Sequence, residues 1–274
     1  MAEDDRTTGM VPDPDGEGAR AGLIARCGGA ILFYTRLPLL PGWRPGFGGI
    51  AGLSPLVGLG LAGLLTGVDS LLEWAGMPPL SRSALMVALW LWLTGGLHLD
   101  GAMDTADGLA VADGDRRLAV MADSRSGAFG VMAAIAILGL KTLALADLST
   151  GRGPLLATAM VWGRWGQVLA IARYPYLRPN GKGALHKTHL RLPGDLLIGL
   201  GVGIVWCGVW AALNPDQLGL AIGVLVGGVG AAWGIGAWLQ AQLGGHTGDT
   251  YGATVEWTET LVICLGAFLA GFQR

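Results

Sequence analysis

Charged side chains are scarce in this sequence of 274 residues. Asp, Glu, Lys and Arg together make up 14% of it, whereas a soluble domain typically carries about 25%. Hydrophobic residues make up 52%. This composition excludes an ordinary soluble domain and indicates an integral membrane protein whose partner is the lipid bilayer. The net charge of −2 says little about partners, because the distribution of the charges matters more than their sum. Nucleic acid is not expected as a partner.

Cysteine is equally sparse. Cys27, Cys207 and Cys264 lie far apart, and two of them fall inside apolar segments. They form neither a disulfide framework nor a zinc-binding pair, so we expect buried free thiols. Two common catalytic signatures are missing as well, because the chain has no Walker motif and no plausible Ser-His-Asp arrangement.

Long apolar segments make up most of the chain. A helix needs about 20 residues to cross a bilayer, and spans are predicted near 49–75, 83–97, 128–148, 155–172, 196–213, 218–240 and 253–272. Residues 20–40 are apolar but interrupted by Arg26 and Arg36, and they are predicted to form a helix at the membrane interface, with a true span as the alternative. The acidic tail, 1–19, is predicted to be disordered. The expected fold is therefore all-α, a polytopic bundle of about seven transmembrane helices in one domain, 20–274.

The lysines and arginines indicate an orientation. If the first span starts in the cytoplasm, the cytoplasmic connections hold ten of them, whereas the opposite connections hold only Arg82 and Arg152, with Arg274 at the C-terminus. This is the bias of the positive-inside rule. It predicts a multi-pass protein of a bacterial inner membrane, with its polar segments facing the cytoplasm. Lys141 lies inside an apolar segment, but close enough to its end to reach the interface by snorkelling.

The segment 97–108, LHLDGAMDTADG, follows directly on an apolar segment. Its aspartates, Asp100, Asp104 and Asp107, are spaced by four and then three residues, so a helix would place them on one face. Like charges repel, so such a stripe is expected to hold a cation, and oxygen ligands without cysteine favour Mg²⁺ or Mn²⁺. A solvated loop is the alternative. His98 beside them could be a base, a phosphate donor or an interfacial histidine.

Two further segments carry arginines in places that favour a site. Ser124 and Arg125 stand just before an apolar helix, where free N–H groups and a guanidinium make an anion site. An N-cap with a membrane anchor is the alternative there. Arg164 lies near the middle of an apolar segment and is expected to meet a carboxylate, a phosphate or a structural ion-pair partner.

The last two polar segments lie nearer the C-terminus. The basic, aromatic loop 172–191 contains Arg178 and Lys182, and it could hold phosphates and a flat ring or only fix the topology. Asp249 and Glu256 are seven residues apart, which places them on one face of a helix. They are predicted to complete a metal–phosphate site, with a capping aspartate and buried structural glutamates as the alternative.

Acidic clusters, basic residues and glycine-rich turns at one membrane face predict a divalent-metal site for an anionic substrate. Phosphoryl transfer needs metals and cations that neutralise charge, together with an aligned hydroxyl nucleophile. The residues alone thus predict a membrane-embedded, Mg²⁺-dependent phosphotransferase.

The acidic segment also resembles a known signature. GGLHLDGAMDTADGL (95–109) and MADSRSGAFG (121–130) are similar to the pattern of the cobalamin synthase family, the adenosylcobinamide-GDP ribazoletransferases. The likeness continues in the family's order through FYTRLP (33–38), the segment 163–183 and the segment 244–259. It therefore covers most of the chain.

The resemblance implies that adenosylcobinamide-GDP reacts with α-ribazole, or its 5′-phosphate, to give cobalamin and GMP with Mg²⁺; it leaves a homo-oligomer open. Under this hypothesis the Mg²⁺ ligands are Asp100, Asp104, Asp107, Asp249 and Glu256. Catalytic roles are expected for His98, Asp104, Asp107, Arg125 and Arg164. Substrate binding is expected for Arg36, Ser124, Arg178 and Lys182.

Two other functions compete with this one. A CDP-alcohol phosphotransferase would share the metal, the aspartates and the nucleotide leaving group, but its pattern needs an Ala-Arg after the first Asp-Gly pair, and this chain lacks it. A cation transporter would be expected to carry its acids at mid-membrane on broken helices. Here the acids cluster at one predicted face.

Overall fold

A computed structural model describes residues 22–39, 41–179, 181 and 183–272. The predicted disordered tail, 1–19, lies outside these residues, and so does Lys182. The helices of the described part are α1 (Leu23–Tyr34), α2 (Ser54–Trp74), α3 (Pro79–Leu93), α4 (Leu97–Leu109), α5 (Gly114–Val120), α6 (Ala128–Ala146), α7 (Arg152–Arg173), α8 (Ala184–His189), α9 (Gly194–Leu213), α10 (Leu218–Leu243) and α11 (Gly248–Gly271).

The expected membrane architecture is confirmed. Helices α2, α6, α7, α9, α10 and α11 are long and apolar enough to cross a membrane, and the bent pair α3–α4 would make a seventh span. Helix α1 has 12 residues, which gives a length of about 18 Å, well short of a bilayer core of about 30 Å. Its length therefore agrees with the predicted interfacial helix and not with the alternative of a true span.

Helix α7 forms the centre of the bundle. Of its most apolar 18 residues 89% are buried, whereas the corresponding fractions for α9 and α10 are 22% and 28%. The indole of Trp162 packs against Gly203 of α9 and Gly228 of α10, where an added Cβ would lie 2.5–2.6 Å from the ring. Helices α9 and α10 turn large apolar side chains outward, among them Val205 and Trp233, as lipid-facing helices do.

The α3–α4 junction differs from the predicted span 83–97. Helix α3 ends at Leu93, and α4 leaves it at an angle of 91°. Gly95 and Gly96 between them have φ of +64° and +73°, a left-handed conformation that L side chains rarely adopt. The acidic segment thus lies on a separate helix that turns away from the preceding span.

Ion pairs join the helices at the start of α7. The Arg152 guanidinium binds both carboxylate oxygens of Asp69 in α2, at 2.8 and 2.9 Å. Arg82 of α3 lies 3.4 Å from Asp69 and 2.8 Å from Glu73. Arg82 and Arg152 were predicted to lie in connections between spans, but both are buried, because Asp69 pairs with them inside the bundle. A single aspartate within the apolar α2 was the signal for this cluster.

Candidate active site

Helix α4 carries the acidic stripe as predicted. Its side at His98, Gly101, Ala102 and Thr105 is buried, while Asp100, Asp104 and Asp107 are exposed or half-buried. The spacing of four and three residues thus places the three carboxylates on the open side of one helix. The solvated-loop alternative is excluded, because the segment is helical throughout.

Helix α11 approaches α4 so closely that the two backbones touch. A Cβ added to Gly101 would lie 2.6 Å from the carbonyl oxygen of Asp249, and one added to Gly252 would lie 2.9 Å from the carbonyl oxygen of His98. This contact brings Asp249 to the stripe. The charges of Asp100, Asp249 and Asp107 all act on Asp104, and the positive charge of Arg178 partly offsets them.

Arg178 is held at this cluster by the loop that follows α7. Its Nη1 donates to Asp249 Oδ2 at 2.8 Å, and its Nη2 donates to the carbonyl oxygen of Leu118 in α5 at 2.9 Å. Two backbone hydrogen bonds fix the loop, one from the Leu177 N–H to His246 O (2.8 Å) and one from the His246 N–H to Pro175 O (2.9 Å). Arg178 therefore joins three segments that are distant in the sequence.

The ring of His246 supports the start of α11. It is fully buried and stacks between Tyr174 and Tyr251, with ring centroids 5.2 and 5.5 Å away. Its Nε2 lies 3.1 Å from the carbonyl oxygen of Gly236, and its Nδ1 lies 3.0 Å from the Thr250 hydroxyl. Burial lowers the pKa of His246 to about 4, so the ring is neutral at pH 7.

Asp107 lies at the edge of the stripe and caps the next helix. Its carboxylate accepts the backbone N–H groups of Gly127 (2.7 Å) and Gly130 (2.8 Å) at the start of α6. A carboxylate in this position satisfies free N–H groups and interacts favourably with the helix dipole. Both of its oxygens therefore already have protein partners. Within the described residues, no such partner is shown for the carboxylate oxygens of Asp100 and Asp104.

The segment before α6 exposes its predicted anion-binding residues. The Arg125 side chain is 87% exposed and lies 2.6 Å from Asp123, and Ser124 is exposed beside it. Hydrogen bonds from Arg125 lower the pKa of Asp123 to about 2, so this carboxylate stays ionised. Arg36 is exposed at the α3–α4 turn, where its backbone N–H donates to Leu93 O at 2.7 Å.

Two predicted catalytic residues lie beneath the stripe, in the bundle interior. His98 is 2% exposed; its Nε2 has no hydrogen-bond partner within the described ranges, and its ring centroid is 6.1 Å from that of Tyr34. Arg164 is completely buried, and its Nη1 donates to Glu259 Oε1 at 2.6 Å. The structure thus shows the ion-pair alternative for Arg164.

Glu256 is also buried and has a partner that was not predicted from the sequence. Its Oε2 accepts from Lys141 Nζ at 2.7 Å, and the same ammonium donates to Glu259 Oε2 at 2.8 Å. The Lys141 ammonium lies 4.1 Å from the ring centroid of Trp90 and is 3% exposed, so the expectation that it snorkels was wrong. Two glutamates in an apolar helix could have signalled an internal cation. Glu256 and Glu259 are thus buried and paired with Lys141, as in the alternative of buried structural glutamates.

The side chains of the cluster are of the type that binds Mg²⁺, but they do not lie close enough together to hold the ion. Asp100, Asp104 and Asp249 offer the hard carboxylate oxygens that Mg²⁺ prefers, on a partly open surface. In the described part of the chain, no three His, Cys, Asp or Glu side chains converge closely enough to hold a metal ion as placed. The donor types fit, and one of the carboxylates, Asp249, is already hydrogen-bonded to Arg178.

The fold and the site define a multi-pass helical membrane protein with an acidic cluster at one end of its bundle. Comparison with known proteins assigns the family. Residues 26–267 match the family described as cobalamin-5-phosphate synthase. This chain belongs to that family and is a transferase of cobalamin biosynthesis, so the resemblance noted in its sequence is confirmed.

Several curated relatives support the assignment. The chain is 52% identical over 236 residues to the adenosylcobinamide-GDP ribazoletransferase of Trichormus variabilis, covering 86% of this chain and 94% of that protein. It is 52% identical over 241 residues to the Synechocystis enzyme of the same name, covering 86% and 92%. The corresponding Thermosynechococcus vestitus protein is 53% identical over 244 residues, covering 89% and 95%. No solved structure matches the chain significantly.

Proposed function

We propose that this protein transfers the adenosylcobinamide-phosphate group of adenosylcobinamide-GDP to α-ribazole, or to its 5′-phosphate, and releases GMP. The name of the relatives supports the two reactants, because it names adenosylcobinamide-GDP and ribazole. One structural observation carries the site: Asp104, Asp249 and Arg178 come from three distant segments and act on each other at one end of the bundle.

The reaction exchanges one P–O bond for another. The ribazole hydroxyl oxygen attacks the phosphorus that bears the cobinamide arm, and the bond from that phosphorus to the GMP oxygen breaks. The hydroxyl proton passes to a base of the protein, and GMP leaves with the electron pair of the broken bond. The protein must therefore align the hydroxyl, accept a proton and neutralise the charge of the diphosphate.

We propose that the carboxylates of Asp100, Asp104 and Asp249 hold Mg²⁺, while Asp107 orients the adjoining helix. When bound, the ion would neutralise the phosphate oxygens that it contacts. Glu256 is left out of the ligand set, because its carboxylate already binds Lys141 inside the bundle.

We assign the binding of the diphosphate to three arginines. Arg178 is already in the cluster, and the exposed side chains of Arg125 and Arg36 can turn toward an anion at the same end. A carboxylate of the stripe, Asp104, is the better candidate for the base. His98 is less suitable, because its side chain is buried and has almost no access to solvent.

We further propose that this end of the bundle faces the cytoplasm of a bacterial inner membrane. The stripe, Arg125, Arg178 and the basic helix α8 lie at the end where α7 finishes and α6 begins. An excess of positive residues at one end is the usual mark of the cytoplasmic side. The lipid bilayer is then the surface on which a bulky corrinoid would be held.

The proposal is tested with the purified protein in lipid vesicles, supplied with adenosylcobinamide-GDP, α-ribazole or its 5′-phosphate, and Mg²⁺. We expect cobalamin (or its 5′-phosphate) and GMP to form together, and both to disappear when the metal is chelated. Asp104→Asn should abolish turnover, whereas Asp115→Asn, an exposed acid of α5, should leave it unchanged. Near-normal turnover in Asp104→Asn would remove the assigned site, and ion flux without turnover would favour a transporter.

A further inference from the structure

Lys141 lies at the centre of a buried network of four charges. Its ammonium contacts Glu256 at 2.7 Å and Glu259 at 2.8 Å, and the other oxygen of Glu259 binds Arg164 at 2.6 Å. The four side chains are at most 7% exposed. Two positive and two negative charges leave the network neutral, which is the condition for keeping charges in an apolar interior.

The network joins α6 to α11, and α6 has a second attachment at its start. There, Asp107 of α4 accepts the N–H groups of Gly127 and Gly130. Lys141 lies 11 residues beyond Gly130, about 16 Å along the helix. Helix α6 is thus fixed at its start to the stripe on α4 and in its second half to α11.

Helix α11 in turn carries the other half of the acidic cluster. Asp249 lies seven residues before Glu256, which is two turns or about 10 Å along the axis. If α6 moved along α11, the cap at Asp107 would move with it, and Asp107 would shift relative to Asp249. The ammonium of Lys141, shared by two glutamates one turn apart, opposes such a movement.

We propose that Lys141 is a positioning residue of the active site: it fixes the register of α6 along α11, and thereby the distance between the α4 and α11 halves of the acidic cluster. Glu256 then acts through Lys141 and is not a metal ligand. This inference rests on the proposed function, because the cluster that it positions is the one assigned to Mg²⁺.

A charge-matched set of variants tests the proposal. Lys141→Met leaves the network with one unmatched negative charge, and Glu256→Gln leaves one unmatched positive charge. The double variant is neutral again and keeps the Arg164–Glu259 pair. Asp216→Asn, an exposed acid beyond the other end of the bundle, is the matched control.

Two measurements follow for each variant. In metal-free protein, the unfolding temperature should fall in both single variants and recover in the double variant. In turnover assays, the Mg²⁺ concentration for half-maximal rate should rise about tenfold in each single variant and return most of the way in the double variant, as expected for strongly coupled residues. Asp216→Asn should change neither quantity.

The contrary results are distinct. If Glu256→Gln raises the Mg²⁺ requirement, Lys141→Met does not, and the double variant fails to recover, then Glu256 is a ligand and the proposal is wrong. A double variant that unfolds as readily as the single variants would also overturn it. If the wild type needs no Mg²⁺, the metal assignment in the proposed function is wrong. The unfolding temperatures still show in that case whether Lys141 and Glu256 are coupled.

Discussion

Gly101 of α4 and Asp249 of α11 meet with no space for a side chain between them. A Cβ on Gly101 would lie 2.6 Å from the carbonyl oxygen of Asp249 and 2.9 Å from its Cα. These are backbone atoms, which cannot rotate aside as a side chain can. The approach of the two helices, and with it the assembly of the acidic cluster, depends on this glycine.

Gly101→Ala should therefore reduce turnover strongly, although alanine normally favours a helix over glycine by about 1 kcal/mol. Overpacking of this kind costs about 1–3 kcal/mol, and it would separate Asp104 from Asp249. Gly139→Ala in α6 is the control, because a Cβ there meets nothing within 4 Å. Turnover and unfolding temperature are measured on both. Full activity in Gly101→Ala would show that the close approach is not needed.

Arg178→Gln should separate metal binding from turnover. The guanidinium lies 2.8 Å from Asp249 and offsets negative charge at Asp104. Without it, the cluster is more negative, so Mn²⁺ used as a spectroscopic probe should bind more tightly in the absence of substrate. Turnover should fall, because the diphosphate loses a cation.

The control for this experiment is Arg116→Gln, an exposed arginine of α5. It should change neither Mn²⁺ affinity nor turnover. Weaker Mn²⁺ binding in Arg178→Gln would contradict the assignment, since it would mean that the arginine organises the carboxylates more than it repels the ion.

Asp107 can be tested as a helix cap. Asp107→Ala removes both acceptors for the N–H groups at the start of α6 and should destabilise the protein by about 1 kcal/mol or more. Asp107→Asn keeps one acceptor oxygen and should lose less stability. Thermal unfolding of the two variants gives the comparison, and equal stability of both with the wild type would argue against the cap.

The sequence predicted the fold well, because apolar length is a direct consequence of bilayer thickness. It also placed Asp100, Asp104 and Asp107 on one helix face, since that relation is local. The contact between α4 and α11 was harder to predict from the sequence. Nothing in the spacing of Gly101 or Gly252 distinguishes a glycine at a backbone contact from one that faces open space.

The partners of the buried charges were the least predictable part. Arg164, Glu256 and Lys141 were each recognised as unusual in an apolar segment, but several pairings were compatible with the sequence. Three helices decide among them, and their relative rotation depends on packing over the whole bundle. The pairing Lys141–Glu256 therefore emerged only from the structure.

Acid should destabilise the protein in a window set by His246. Burial lowers the pKa of this ring from 6.5 to about 4, so the unfolded chain binds a proton more readily than the folded one. The stability contributed by the neutral ring is complete above pH 6.5 and is lost as the pH falls toward 4. His186, whose pKa burial also lowers to about 4, adds to the same loss.

The test compares unfolding temperatures of the wild type and His246→Gln between pH 7.5 and pH 4.5, a range chosen to bracket the ordinary pKa of histidine, about 6.5. We expect the variant to start lower, because it loses the hydrogen bond to Gly236, and to decline less with acid. An identical decline in both proteins would mean that other groups produce the acid sensitivity.

Gly95 and Gly96 have a consequence for biosynthesis. Their left-handed backbone separates α3 from α4. During membrane insertion, the apolar helix α3 therefore ends before the acidic helix α4 begins. A residue with a side chain at both positions would favour one continuous helix and draw the aspartates toward the hydrocarbon. Such a variant would be inserted into the membrane with the wrong topology at the translocon, before the protein folds.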